Sequence, residues 1–226
     1  MWSAGAAPRL PAAGRPAALR LGFTLLPGMT VGLFGGSFNP AHDGHAHVAR
    51  TAVARLGLDR VIWLVSPQNP LKSRHETASL AERMDSARSQ ARGPRMIVSD
   101  AETHIGSVYT IDTLRALKAR FPAVKFVWIM GADNLQSLNR WRGWLQIMRE
   151  VPVAVIARPG AEVKSRSSPA ARRFAYARLP SREAPRLAGH RPPAWLFLRA
   201  PLNFASSTAL RAQLRASTPA DGDDKA

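Results

Sequence analysis

A short apolar run, Thr30-Val31-Gly32-Leu33-Phe34, leads directly into Gly35-Gly36-Ser37-Phe38-Asn39-Pro40-Ala41-His42-Asp43-Gly44-His45, and a helical pattern follows from about His45 to Leu56. The apolar run reads as a buried strand, so two glycines, a proline turn and two histidines sit where a strand feeds a helix. In an α/β protein that junction suits phosphate. The first N–H groups of the helix have no partner within it, and its dipole favours negative charge. Imidazole can donate a hydrogen bond to a phosphate oxygen and adds charge when protonated. On the residues alone, a zinc pair and two ordinary surface histidines are the other readings. Zinc needs further ligands, Asp43 is the only adjacent carboxylate, and the chain has no cysteine.

From Thr30 onward short apolar runs alternate with helical stretches. The pattern predicts strands over 30–34, 60–65, 95–98, 124–130, 151–157 and 195–199. It predicts helices over 45–56, 78–91, 109–120, 141–149, 168–176 and 207–215. Val61-Ile62-Trp63-Leu64-Val65 and the run from Val124 to Met130 are nearly continuously apolar, as strands covered on both faces should be. The expected fold is α/β, a Rossmann-like doubly wound parallel sheet joined by right-handed crossovers, with ligands outside the carboxyl ends of the strands where strand order reverses.

The 226 residues suffice for one such domain, expected over 29–216. Residues 1–28 carry three arginines, no acid and many Ala, Pro and Gly, and read as a disordered extension or as an upstream start with Met29 opening the core. Residues 217–226 read as a flexible tail. The stretch 158–194 is rich in arginine and proline and is expected to be a basic surface segment with at most one short helix, a solvated loop, an oligomer contact or a phosphate gate. Net charge is +17, from 32 Lys+Arg against 15 Asp+Glu, which draws polyanions. No nucleic-acid-binding motif accompanies that charge, so small anionic substrates are expected rather than a specific nucleic acid. No apolar run approaches a membrane span, and the absence of cysteine fits a reducing cytoplasm.

Four further strings carry polar groups at element ends. Ser66-Pro67-Gln68-Asn69-Pro70-Leu71-Lys72 follows the second strand, and Lys72 reads either as a phosphate contact or as a solvated lysine. Ser107-Val108-Tyr109-Thr110-Ile111-Asp112-Thr113-Leu114 opens a helix, where Thr110 and Asp112 suit capping and the N–H groups suit a carboxylate. Gly131-Ala132-Asp133-Asn134-Leu135 ends the fourth strand ahead of Trp141 and Arg142. There Asp133 is either a ribose acceptor or a helix cap, and Trp141 either stacks on a flat ring or joins the core. Near the C-terminus Ser206, Ser207 and Thr208 open a helical pattern with Arg211 one turn on, which suits phosphate oxygens or plain capping.

The first motif resembles the signature of the nucleotidyltransferase superfamily with the H-x-G-H motif, and Ala205-Ser206-Ser207-Thr208-Ala209-Leu210-Arg211 resembles its I-S-S-T-x-I-R motif. The strings at 107–114 and 131–141 resemble those of nicotinate-mononucleotide adenylyltransferases, and the likeness spans roughly 30–216. Departures are Ser37 where threonine is common, Asn39 where aspartate is common, Ala205 and Leu210 for isoleucine, and the basic 158–194 segment. The resemblance implies transfer of AMP from ATP to nicotinate mononucleotide, giving deamido-NAD and pyrophosphate. Nicotinamide mononucleotide or phosphopantetheine as acceptor, or a non-catalytic nucleotide-binding or RNA-binding protein, are the alternatives. It implies ATP contacts at Gly35, Gly36, Ser37, Phe38, His42, His45, Gly131, Asp133, Ser206, Ser207, Thr208 and Arg211, with His42, His45 and Arg211 catalytic. Mononucleotide contacts would fall on Ser37, Asn39, Lys72, Tyr109, Thr110, Asp133, Trp141 and Arg142. Mg²⁺ would be held mainly by the ATP phosphates, with no metal ligands from the chain.

Overall fold

The computed structural model describes residues 23–67, 77–157 and 162–199. The chain enters through the middle of a sheet. Strand β1 (Thr30–Gly36) is followed by helix α1 (Asp43–Leu56), β2 (Arg60–Val65), α2 (Leu80–Gln90), β3 (Met96–Ser99), the short α3 (Ala101–Ile105) and α4 (Thr110–Arg120). After them come β4 (Lys125–Gly131), α5 (Ala132–Ser137), α6 (Trp144–Glu150), β5 (Val153–Ile156), α7 (Glu162–Arg166), α8 (Pro169–Arg173), β6 (Arg178–Leu179) and β7 (Trp195–Leu198). The strands form one parallel sheet in the order β3-β2-β1-β4-β5-β7-β6. Strand order reverses between β1 and β4, so the crevice at the carboxyl ends of these two strands is where such a fold takes a ligand.

Period-two alternation along β1 divides the core. Leu33 joins the cluster under α4, α5 and α6, and Phe34 joins the cluster under α1 and α2 on the other face. Both faces are covered, which is why β2 and β4 read as unbroken apolar runs. Helix α1 starts two residues before the expected position because His42 caps it. Helix α6 starts three residues late because Gly143, with φ of 67°, breaks the chain direction ahead of it. Helices α3 and α5 were not expected from the pattern, being five and six residues long. The helix expected over 207–215 lies outside the described residues.

Two boundaries differ from expectation. The basic segment is not a solvated loop with at most one short helix. It holds α7, α8, a 3-10 turn over Ala175–Ala177, the edge strand β6 and a 3-10 stretch over Ser181–Gly189. Ala170, Ala171, Phe174, Ala177, Ala184 and Leu187 are buried, and the Trp195 indole N–H donates to the Phe174 carbonyl at 2.7 Å. Its arginines Arg166, Arg172, Arg173, Arg178, Arg182, Arg186 and Arg191 are all exposed, so the basic surface is real but rests on core. At the other end the packed domain begins before Met29. Leu25 is buried, and the Gly28 N–H donates to the Ala123 carbonyl at 2.8 Å.

Candidate functional site

Three segments converge at the carboxyl ends of β1 and β2. After Gly36 the chain turns through Phe38, whose φ is 45°, an uncommon conformation for a bulky residue. The Phe38 side chain is only 1% exposed and packs against Phe34, Trp63 and His45 at centroid distances of 5.4, 5.1 and 5.0 Å. Only its main chain is therefore placed to meet a ligand. Gly35 is small for a reason of packing. A Cβ there would come within 3.0 Å of Trp128 Cζ2 and closer still to Cη2.

His42 is the N-cap of α1, and its Nδ1 accepts the Gly44 N–H at 3.0 Å. His45 Nδ1 accepts the His42 N–H at 3.3 Å, a reciprocal capping pair built from two imidazoles. The rings lie 3.9 Å apart, centroid to centroid. Because each Nδ1 is an acceptor, each neutral ring carries its proton on Nε2, which makes Nε2–H the donor. Among the described residues no group of three or more histidines, aspartates or glutamates gathers as metal ligands.

Helix α2 closes over the turn. Arg83, 2% exposed, donates to the carbonyls of Ser37, Ser66, Pro67 and Ala78. The Ser86 hydroxyl accepts the Ala41 N–H at 2.9 Å, and Asn39 Oδ1 accepts the Ala78 N–H at 3.2 Å. Asn39 thus serves the scaffold at a position the family resemblance gave to the mononucleotide. Arg83, Ser86 and Ser66 were missed as site residues by sequence reasoning. For Arg83 a signal existed: Leu80, Arg83, Met84 and Ala87 fall at i, i+3, i+4 and i+7, so this arginine belongs to the core face of α2.

The second half of the crevice lies at the start of α4. Tyr109 occupies the cap position with no side-chain cap, contrary to the capping expected of Thr110 and Asp112. Instead the Ser107 hydroxyl accepts the Tyr109 N–H at 3.1 Å and donates to Asp112 at 2.9 Å. The N–H groups of Thr110 and Ile111 have no hydrogen-bond partner among the described residues. Arg142 lies over the Tyr109 ring at 4.5 Å, and the half-buried Trp141 meets Trp128 edge-on at 6.5 Å. Gly143 lets this segment press on α4, since a Cβ there would stand 3.1 Å from Ile111. Trp144 turns inward onto Phe174 at 6.0 Å. Gly131 is the cap of α5, and Asp133 is exposed on that helix's first turn.

Beneath α4 lies an acid the sequence did not single out. Glu102 is 4% exposed, and burial raises its carboxyl from the usual 4.5 to about 7 against the hydroxyls of Thr113 and Ser66. The Thr113 hydroxyl donates to Glu102 Oε1 at 3.1 Å. The structure therefore brings together Gly35, Gly36, Ser37, His42 and His45 on one side of the strand-order reversal. On the other stand Tyr109, Thr110, Gly131, Asp133, Trp141 and Arg142. Lys72, Ser206, Ser207, Thr208 and Arg211 lie outside the described residues.

The model of the family described as cytidylyltransferase-like matches residues 33–213. A probable nicotinate-nucleotide adenylyltransferase of Caulobacter sp. (strain K31) is 73% identical over 183 residues, which is 81% of this chain and 97% of that protein. One from Cereibacter sphaeroides is 53% identical over 193 residues, 85% of this chain and all of the relative. Among solved structures, nicotinic acid mononucleotide adenylyltransferase of Plasmodium falciparum, complexed with NaAD, superposes with a TM-score of 0.61 at 16% identity, over 81% of this chain and 83% of that one. That last likeness bears on the fold alone.

Proposed function

We propose, from the premise that this chain belongs to the nicotinate-nucleotide adenylyltransferase family within the cytidylyltransferase-like proteins, that it transfers AMP from ATP to nicotinate mononucleotide in NAD biosynthesis. The acceptor phosphate attacks the α-phosphorus in line. A new P–O bond forms, the α–β bridging bond breaks, and pyrophosphate leaves. The acceptor is already anionic at neutral pH, so positioning and charge stabilisation carry the catalysis rather than a strong base. Mg²⁺ enters with the ATP phosphates. The donors at this site are imidazoles, hydroxyls and backbone N–H groups, which suit phosphate oxygens and not a cation.

The observation that carries the reading is the imidazole capping pair. With both Nδ1 atoms accepting backbone N–H groups, His42 and His45 donate through Nε2 at the mouth of α1, His45 to the α-phosphate as charge develops. The main chain of Gly35, Gly36, Ser37 and Phe38 lines the nucleotide, with Gly131 and Asp133 at its ribose. Ser206, Ser207, Thr208 and Arg211 hold the β- and γ-phosphates, and Lys72 serves the acceptor phosphate. The N–H groups of Thr110 and Ile111 receive the pyridine carboxylate, Trp141 stacks on the ring, and Arg142 over Tyr109 adds charge to that pocket. Two backbone donors favour a carboxylate, with two acceptor oxygens, over an amide, whose NH₂ would face one of them. A cytoplasmic setting accords with a chain lacking cysteine.

The test is pyrophosphate release by the full chain with MgATP and either nicotinate or nicotinamide mononucleotide. Faster release with the nicotinate form, with deamido-NAD as product, is expected. Equal rates would remove the carboxylate pocket, and no release with either would remove the reaction.

A further inference from the structure

Arg83 is a buried cation whose guanidinium bonds, among the described residues, reach only main-chain oxygens. Nε donates to Ala78 at 3.0 Å, one terminal nitrogen to Ser37 and Ser66 at 3.0 and 2.6 Å, and the other to Pro67 at 2.9 Å. Those four carbonyls belong to three separate segments: the turn after β1, the end of β2, and the approach to α2. Ser66 is their meeting point. Its N–H donates to the Gly36 carbonyl at 3.0 Å, its carbonyl accepts from Arg83, and its hydroxyl hydrogen-bonds the Glu102 carboxyl. Glu102 then continues the path. Its carboxyl accepts the Thr113 hydroxyl at 3.1 Å, and its main-chain carbonyl accepts the N–H groups of Gly106 and Ser107 at 3.1 and 3.3 Å. Ser107 in turn fixes Tyr109 at the head of α4.

We propose that Arg83 and Glu102 are positioning residues that meet at Ser66, Arg83 setting the turn that would carry ATP and Glu102 setting the α4 start that would carry the pyridine carboxylate. This deepens the transferase reading and rests on it. Two considerations separate the brace from ordinary core packing. First, desolvating a guanidinium and a carboxyl is costly, a cost that packing alone does not require. Second, the groups they hold are the main-chain carbonyls and turns that set the direction of the site's N–H donors, where a misplacement of about 1 Å lowers rates about 10²-fold. The Arg83 charge also lies directly behind the Ser37 turn, where it favours an anion without touching it.

Binding of ATP and of nicotinate mononucleotide is measured by calorimetry, and KM and kcat by pyrophosphate release, below the melting temperature of each variant. The proteins are wild type, Arg83→Lys, Arg83→Met, Glu102→Gln and Glu102→Ala. The expected result is a split. Arg83→Met weakens ATP and lowers kcat by about 10–100-fold, and Arg83→Lys, which keeps charge but loses the fork, falls between. Glu102→Ala raises KM for nicotinate mononucleotide by about 10-fold with ATP binding little changed, and Glu102→Gln, which keeps the hydrogen bonds, restores it to within about 3-fold. If Arg83→Met does not fold, Arg83→Lys and the Glu102 pair carry the same test. Active wild type with variants that differ only in melting temperature, both KM values and kcat being unchanged, would overturn the brace and leave the transferase reading standing. Wild type that binds neither ligand would overturn both.

Discussion

Replacing Glu102 by glutamine should stabilise the protein by an amount that grows with pH. The Glu102 carboxyl is buried, and burial lifts it from the usual 4.5 to about 7 while the Thr113 and Ser66 hydroxyls partly offset the lift. Below pH 4.5 both the folded and the unfolded chain hold the proton, and the two proteins differ only by an amide for a neutral acid. Between 4.5 and about 7 the unfolded chain releases its proton while the folded chain keeps it, so wild-type stability falls as pH rises. Above about 7 both states are ionised, and the folded state bears the full penalty of a buried carboxylate. A lift of that size corresponds to about 3 kcal/mol. About 2.5 kcal/mol of this develops between pH 5 and pH 8, because the unfolded carboxyl is already mostly ionised at pH 5, so in a domain of this size the melting temperature of Glu102→Gln should rise relative to wild type by roughly 5–10 °C over that range. Neighbouring charges cancel in the comparison. Asp112 is held by Ser107, and His104 pairs with Asp100 at 3.8 Å on the exposed side of α3, identically in both proteins. Calorimetric melts at four pH values decide it. A gap that stays constant from pH 5 to 8, or that closes, refutes the claim that Glu102 folds as the neutral acid.

His45→Ala should lower kcat by about 10²–10³ with less change in the KM for ATP, read by steady-state pyrophosphate release, because one preorganised donor is lost. Unchanged turnover would remove His45 from the chemistry. Gly35→Ala should destabilise by about 1–3 kcal/mol, since its methyl must displace the buried Trp128 ring. Chemical denaturation measures it, and a neutral result would mean the ring can yield. Arg142→Ala should raise the KM for nicotinate mononucleotide about 2–5-fold while sparing ATP, as expected for losing an exposed cation over Tyr109. An equal effect on both substrates would place Arg142 elsewhere in function.

The parts readable from sequence are those whose physics is local. Strands β1, β2 and β4 are buried on both faces, so their apolar runs announce them, and His42 to His45 sit where the run ends. The basic segment misled because exposed arginines alternate with the buried alanines and Phe174 of a thin layer, and side-chain density drowned the spacing. Glu102 could not be found this way. It lies on a five-residue helix, too short for any period, and its partners are 11 and 36 positions away in Thr113 and Ser66.

The first turn of the site also shows why function and stability are hard to separate here by substitution. A helix start leaves N–H groups without partners, and that deficit is what a phosphate or carboxylate answers. At α1 the chain answers part of it itself, with His42 and His45 accepting backbone N–H groups through Nδ1. The same bond that caps the helix sets the proton on the opposite nitrogen, so removing either ring loses a cap and a donor together. At α4, among the described residues, the N–H groups of Thr110 and Ile111 go unanswered, and the Ser107 hydroxyl answers the Tyr109 N–H one residue earlier. Substitutions at α1 should therefore move stability and turnover together, whereas those that fill the α4 start should move substrate affinity with little change in melting. Asparagine at His42 tests the first half of that contrast, since it restores a cap without an imidazole. His42→Asn is expected to recover most of the stability that His42→Ala loses, with turnover still low, and recovery of turnover along with stability would show that His42 acts only as a cap.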